Sequence, residues 1–565
     1  MRYRRASALL VLTAMILSTV MGFGAGVEWS RAGGPQRIVG RPLVGARPLT
    51  PSAAPSAAPS AAGPAAPSTG PLTGDAARGS AQIDPHDFAG PALAEPLPNF
   101  DPGLATRGPR PTAAGLLSYE YGNPSVMFAP PGAPPTDWRL SSPDQEAVRG
   151  YAGDVSVLPG QWLDLHLAGT DRSARLDIFR MGLRDAHHVV TVPRVAIAAE
   201  RTGAAVPQTG RIEDNWPVSY SLHVLPSWRS GVYLVKLTGD SGGQSYIIFV
   251  VRASTPAPFT VVLPLMTYQA YNGEGGADLY GWNGGPHDRA YEVSFNRPFD
   301  NEFGAGLFFR LDFPLIVWLE DHGYQPAYLT DLDIARNAQL VEGVDTLLFS
   351  GHSEYWTGGM REIVESQARR GMNLLFFGAN QAFWQVRLGP DHQGRPDRTI
   401  ICYKDAGLDP LTTVDPGAST TQFADPAIQR PPSQLMGLDY GGIVDGVAPL
   451  VVGPGISAFA PDLGLVPGEQ LPGLIADEVD DAPANFNGIL LGATPVAAHG
   501  QPRMLTAAAA LWINPSGGRV FDAGTFDFSW GLDPRYSANL PGFPAQAFSQ
   551  LTARILAWAG VRPSG

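Results

Sequence analysis

The chain has 565 residues, a formal net charge of −13, 66 Gly, 54 Pro and one cysteine. A lone Cys excludes an internal disulfide, a Cys zinc cluster and an iron–sulfur site, and the acidic balance speaks against a nucleic-acid binder, which needs a basic stripe. A hydrophobic content of 44% with 10% aromatics is that of a chain with large folded cores, at a length of several domains.

Arg2, Arg4 and Arg5 precede an uncharged run from Ala6 to Gly26. That is the pattern of a signal peptide or membrane anchor, assigned to residues 1–30, with residues 6–26 as the tether. It predicts an extracytoplasmic protein, secreted or held at the membrane. Residues 31–112 are rich in Pro, Ala and Ser, with PSAAPSAAPSAAGPAAPS from Pro51 to Ser68 and 16 prolines between Pro35 and Pro111. This composition predicts a disordered, semi-rigid linker.

Residues 113–255 read as a β-sandwich of immunoglobulin-like type. Short alternating runs at Val155–Val157, Trp162–Leu167, Leu176–Arg180, Ser219–Val224, Gly231–Leu237 and Tyr246–Val251 are separated by turn residues. The pattern changes in residues 256–565. Strands are predicted at Phe259–Leu265, Thr346–Phe349, Asn373–Phe377 and Arg519–Phe521. Helices are predicted at Gly306–His322, from Thr357 to Arg370 and at Phe543–Ala559. This alternation predicts a doubly wound, mostly parallel α/β domain of glutamine-amidotransferase or flavodoxin-like type. Residues from Tyr403 to about Asn485 are Pro/Gly-rich and read as long irregular loops.

Ligands of open α/β sheets gather beyond the carboxyl ends of the strands. Three predicted strand ends carry polar residues framed by aromatics: GHSEYW (Gly351–Trp356), GANQAFW (Gly378–Trp384) and DAGTFDFSW (Asp522–Trp530). His352, Glu354, Asn380 and Asp527 fall in these segments. Singly they serve equally well as caps and turns; three such segments together favour a site. A fourth segment, Met266 to Trp282, holds Tyr268, Tyr271, Tyr280 and Glu274. Phenols and carboxylates are hard oxygen donors suited to ferric iron, magnesium or manganese. On spacing alone, an aromatic loop packed on the sandwich is the simpler reading of that segment.

The runs TYQAYN, LYGW, GHSEYW, FFGANQAFW and ICYK resemble the carboxy-terminal domain of the large (beta) subunit of N,N-dimethylformamidase. DIFRMG (Asp177–Gly182) and SGVYLVKL (Ser230–Leu237) are similar to that family's preceding sandwich. The likeness runs from about Val155 to Ala559. It implies an amide hydrolase with mononuclear, ferric iron held by two tyrosines and one glutamate. Carried over, the metal ligands are Tyr233, Tyr271 and Glu354, and the catalytic residues are His352, Asn380 and Glu478. Asp527 or Asp405 remains an alternative to Glu478. Strand alternation places Tyr233 on one face with Val235 and Leu237, facing inward. With Tyr233 as a ligand, the site straddles the sandwich and the α/β domain. Trp356, Phe383 and Trp384 are expected to wall it.

The implied partner is a small-molecule amide, and a homo-oligomer is compatible with the reading. Two departures from the family pattern bear on the substrate: this chain carries an export signal, and none of it resembles the small subunit. The alternative from another class is a non-catalytic extracellular protein that binds glycan or cell-wall polymer, its 12 Trp supplying stacking surfaces. An intact Tyr/Tyr/Glu cluster favours the enzyme; aromatics on a flat face favour binding.

Three motifs are set aside. GDSGG (Gly239–Gly243) joins two β-runs and reads as a hairpin turn, whereas a nucleophilic serine needs strand–turn–helix. His187 and His188 read as a solvated loop pair. Cys402 has no base partner in sequence and reads as a buried thiol.

Overall fold

Alternating apolar residues from Arg149 to Val251 fold into two sheets around one core, and a computed structural model describes residues 124–130, 132–134, 136–199, 202–281 and 289–564. The expected signal or anchor, residues 1–30, and the linker, residues 31–112, lie outside the described residues. Among the described residues, no helix is long and apolar enough to cross a membrane.

The first sheet contains β1 (Arg149–Ala152), β3 (Trp162–Gly169), β6 (Ala198–Ala199) and β7 (Tyr220–His223). The second has the order β2-β9-β8-β4-β5, from β2 (Ser156–Val157), β4 (Ser173–Gly182), β5 (Asp185–Ala196), β8 (Gly231–Gly239) and β9 (Gln244–Val251). Side-chain alternation divides β8 and β9 between two cores. Tyr233, Val235, Leu237, Ile247, Phe249 and Val251 face the first sheet. Val232, Leu234, Tyr246, Ile248 and Val250 face the other way, into the core of the following region. β9 is therefore buried throughout, and β8 everywhere except at Thr238. His187 and His188 lie within β5, opposite Arg180 and Phe179, and not in a loop. The GDSGG segment is the β8–β9 hairpin turn, with Ser241 Oγ bonded to Asp171 Oδ2 at 2.8 Å.

The second region is built on a seven-stranded mixed sheet of order β12-β10-β13-β15-β22-β21-β20. Its strands are β10 (Phe259–Leu263), β12 (Ala327–Thr330), β13 (Thr346–Ser350), β15 (Asn373–Phe377), β20 (Ile489–Ala497), β21 (Met504–Ile513) and β22 (Arg519–Asp522). From β12 to β22 the pairing is parallel; β21 and β20 are antiparallel. The central strands are continuous apolar runs, such as Leu374 to Phe377, because both their faces are buried. Helices α1 (Leu265–Ala270), α2 (Phe313–Asp321), α3 (Gly358–Ala368) and α4 (Ala545–Trp558) accompany the sheet. Thr357 caps α3 by accepting the Met360 N–H at 2.9 Å, and Met360, Val364 and Ala368 turn inward. The whole is mixed and sheet-rich.

A smaller sheet of order β11-β17-β16-β14 combines β11 (Glu292–Ser294), β14 (Tyr355–Thr357), β16 (Trp384–Gly389) and β17 (Thr399–Ile401). The stretch expected to be irregular after Tyr403 instead contains a long antiparallel pair, β18 (Asp439–Val451) and β19 (Gln470–Asp481). Three register shifts interrupt that pair, at Tyr440/Gly442, Ile443/Val447 and Ala448/Leu450. Such bulges break the period-two pattern by which a strand is recognised in sequence.

Candidate active site

Strands β10, β13, β15 and β22 are consecutive neighbours in the parallel sheet, so their carboxyl ends open onto one region. β10 leads into α1 and Tyr271, β13 into Gly351–Glu354, β15 into Gly378–Phe383, and β22 into Ala523–Trp530. Glycine lets these loops approach neighbouring backbone closely. A Cβ on Gly378 would lie 1.8 Å from the carbonyl oxygen of Gly351, and one on Gly524 would lie 1.7 Å from that of Ala508. Gln381 then fastens the first loop: its Nε2 donates to Gly351 O at 2.6 Å, and its Oε1 accepts from Ser353 N at 2.9 Å. Thr267 Oγ1 accepts the Glu354 N–H at 3.0 Å, tying that loop to α1.

At the centre, three oxygens form a triangle. Tyr271 Oη lies 2.9 Å from Glu354 Oε2, Tyr280 Oη lies 2.9 Å from the same oxygen, and the two phenol oxygens are 2.7 Å apart. Tyr355 Oη donates to Tyr280 Oη at 2.6 Å. On the other side, His352 Nε2 is 3.0 Å from Glu354 Oε2 and 4.0 Å from Glu478 Oε2. Asn380 Nδ2 donates to Glu478 Oε2 at 2.6 Å. The Lys404 ammonium lies 3.3 Å from the centroid of the Tyr280 ring, 5.1 Å from that of Trp384 and 5.4 Å from that of Tyr355, a cation held against aromatic faces.

Burial and the Glu354 charge push the Tyr271 and Tyr280 phenols well above the usual tyrosine range. Left to themselves they stay protonated. A bound cation reverses this, because it takes the place of the protons. Burial pushes His352 down, but its hydrogen bond to Glu354 and the charges of Glu354 and Glu478 outweigh it and raise the imidazole to about 9. Burial, opposed by His352 and reinforced by Glu354, lifts Glu478 to about 8. For Glu354 itself the His352 and Tyr271 hydrogen bonds prevail over burial, and its carboxyl is lowered. Burial brings Lys404 down to about 8.

The structure brings Tyr271, Glu354, His352, Asn380 and Glu478 together. It does not bring Tyr233 to them. Tyr233 faces inward, as alternation requires, but inward is the core of the sandwich. Its ring stacks between Trp228 and Phe249 at 5.1 and 5.4 Å, and its hydroxyl donates to the Arg229 carbonyl at 2.8 Å. The position expected for it beside Glu354 is held by Tyr280. The cluster consequently lies within the second region and does not straddle the sandwich. Asp405 is exposed, and Asp527 is buried in the turn Phe526–Leu532. Phe383 packs edge-on against Trp384 and Tyr440, each at 5.0 Å, whereas Trp356 is buried against Phe349 behind the site with its Nε1 on Ser353 Oγ. Cys402 is buried, and burial raises its thiol to about 11.

Tyr355, Lys404 and Asp480 escaped the sequence reading. For two of them a signal was present: Tyr355 follows Glu354 directly, and Lys404 closes ICYK as one of only two lysines. A second grouping of Glu213, Asp391 and His392 lies elsewhere. Its carboxylates are already engaged by Arg395 at 2.5 Å and by Asn296 at 2.8 and 3.1 Å.

Residues 175–540 match the family model described as N,N-dimethylformamidase beta subunit-like, C-terminal. The chain belongs to that family. The match runs from within β4 to beyond β22, and takes in every residue of the oxygen cluster. Among curated proteins, none matches this dimethylformamidase-like chain. Among solved structures, it is similar to a cycloisomaltooligosaccharide glucanotransferase of Paenibacillus sp., complexed with cycloisomaltoheptaose. The identity is 13% and the TM-score 0.14, over 36% of this chain and 19% of that one. The dimethylformamidase-like chain thus spans under a fifth of that enzyme's length, and a likeness of this degree carries no argument.

Proposed function

We propose that this protein is a secreted or membrane-tethered, metal-dependent hydrolase that cleaves the C–N bond of a small-molecule amide. The observation that carries this reading is the triangle of Tyr271, Tyr280 and Glu354 oxygens with separations of 2.7, 2.9 and 2.9 Å. Adjacent ligands of a six-coordinate ion with bonds near ~2.1 Å stand about 3 Å apart, so the donor set fits one ion. Two phenols and a carboxylate are hard donors, and a mononuclear ferric ion suits them. Tyr271, Tyr280 and Glu354 would hold it. When bound, such an ion supplies Lewis acidity, polarising a carbonyl and lowering the pKa of water.

The chain's other residues supply the rest. His352, positively charged beside Glu354, balances the carboxylate and presents N–H toward the cluster. Asn380 Nδ2 offers a donor for a carbonyl oxygen that gains charge. Glu478, with a pKa of about 8, is suited to taking a proton from water and returning it to the departing amine. Phe383 and Trp384 limit water at the cluster. In the same reading the parallel sheet is doubly wound, the sandwich is immunoglobulin-like, and residues 6–26 are the tether.

A second reading, glycan binding, draws on Trp162, which is 64% exposed and stacked on His223 at 4.5 Å. Metal analysis of the purified chain, followed by an amide screen with wild type and Tyr271→Phe, tests the first reading. The expected result is about one iron per chain and an amidase activity, both lost in the variant. A folded, metal-free and inactive wild type that is retained on cell-wall polymer would favour the second.

A further inference from the structure

His352 and Asn380 are joined by more than proximity. His352 Nδ1 lies 2.9 Å from the carbonyl oxygen of Ala379. The N–H of that same peptide group, on Asn380, points at Asp480 and lies 2.9 and 3.2 Å from its two carboxylate oxygens. One peptide plane therefore links an imidazole to a carboxylate. Peptide resonance couples its ends, and an N–H that donates to an anion leaves its carbonyl oxygen a stronger acceptor.

The arrangement is held against local preferences. Asn380 has a φ of 52° and Ala382 a φ of 49°, left-handed values that non-glycine residues adopt only under strain. Asp480 is fully buried and, among the described residues, forms no ion pair. An unpaired buried carboxylate is costly, and hydrogen bonds are what make it tolerable. Asp522 lies beside it, also fully buried, with Oδ1 on Gly524 N and Oδ2 without a partner. Burial and the Asp480 charge push Asp522 well above the carboxylate range. Burial lifts Asp480 as well, to about 7, against the Asn380 N–H bond and the His352 charge, which favour its anion.

We propose that Asp480 is a positioning residue that acts through the Ala379–Asn380 peptide, orienting the His352 ring so that Nε2 faces Glu354 and setting Asn380 so that Nδ2 reaches Glu478. This rests on the functional reading only in so far as it places His352 and Asn380 in the working site.

The test is NMR of the full chain labelled with 15N-histidine, with His352→Gln to assign the signal. Wild type should show a strongly hydrogen-bonded, slowly exchanging Nδ1–H from His352. In Asp480→Asn that signal should move upfield and exchange faster, while the other histidines and the unfolding temperature change little. Asp522→Asn, in the same buried pocket but off the peptide, should leave it in place. In kinetics, Asp480→Asn should lower kcat about 10- to 100-fold with KM little changed. A folded Asp480→Asn with an unaltered His352 signal overturns the proposal. If that variant does not fold, the wild-type Asn380 amide decides: a strongly downfield proton supports the link, and an ordinary shift overturns it. A protein without amidase activity that nonetheless shows the Asp480-dependent His352 signal would remove the functional reading and uphold this one.

Discussion

Tyr233 is a buried phenol and Tyr280 a half-buried one, and they have opposite surroundings. Tyr233 lies between Trp228 and Phe249 in the sandwich, with its hydroxyl satisfied by the Arg229 carbonyl. Burial raises it to about 12. Tyr280 meets a second phenol, a third from Tyr355 and a carboxylate, all within 3 Å. The first is a core residue with a polar tip. The second belongs to a cluster of oxygens within hydrogen-bond distance of one another. What separates them is parity on a strand and position at a strand end: a single-residue shift of β8 would turn Tyr233 toward the second region.

The largest effects should follow from breaking the second environment. Tyr280→Phe is expected to lose its iron and to reduce kcat/KM more than about 100-fold, beyond the loss that an outer partner of a metal ligand causes. Tyr233→Phe should keep both iron and activity, and equal losses in the two variants would erase the distinction. Glu478→Gln should reduce kcat by about 100-fold or more while keeping the iron, because the proposed role of its carboxylate is to move protons and it lies outside the triangle. Loss of metal in that variant would place Glu478 among the ligands.

A smaller effect concerns the sheet region as a whole. Burial pushes Glu302 to about 8 and Asp300 to about 6. Unfolded carboxyls titrate near ~4, so between about pH 5 and about pH 8 the unfolded chain binds fewer protons than the folded one. Stability from these groups is therefore present at low pH and is lost as pH rises through their folded values. Urea midpoints should fall between about pH 6 and about pH 8.5, and Glu302→Gln should flatten the slope. A rising midpoint would contradict the assignment. The smallest effects are local: Thr357→Ala should cost about 1 kcal/mol through the lost α3 cap, without changing iron content.

The central strands were legible because they contain unbroken apolar runs, as in Leu374–Phe377 and Leu347–Phe349. Thr357 was legible as a cap because its side chain precedes a 3.6-period face. The β18–β19 pair was not, because bulges hide its alternation. Three strand-end motifs announced a common region, and neighbouring positions in the sheet explain why they meet. The choice between Tyr233 and Tyr280 was beyond sequence spacing. Alternation says that a side chain faces inward, but β8 has two inward faces, and only the packing tells which core each one meets. Asp480 was hidden for a related reason: it acts on a backbone N–H, which leaves no mark in the residue pattern.

The most direct measurement is titration of iron into metal-free wild type and Tyr280→Phe, followed by bound metal and phenolate-to-iron absorption. The account predicts about one iron per chain with a phenolate band in wild type, and neither in Tyr280→Phe. A folded wild type that takes up no iron, or a Tyr280→Phe that binds as much with the same absorption, would contradict it.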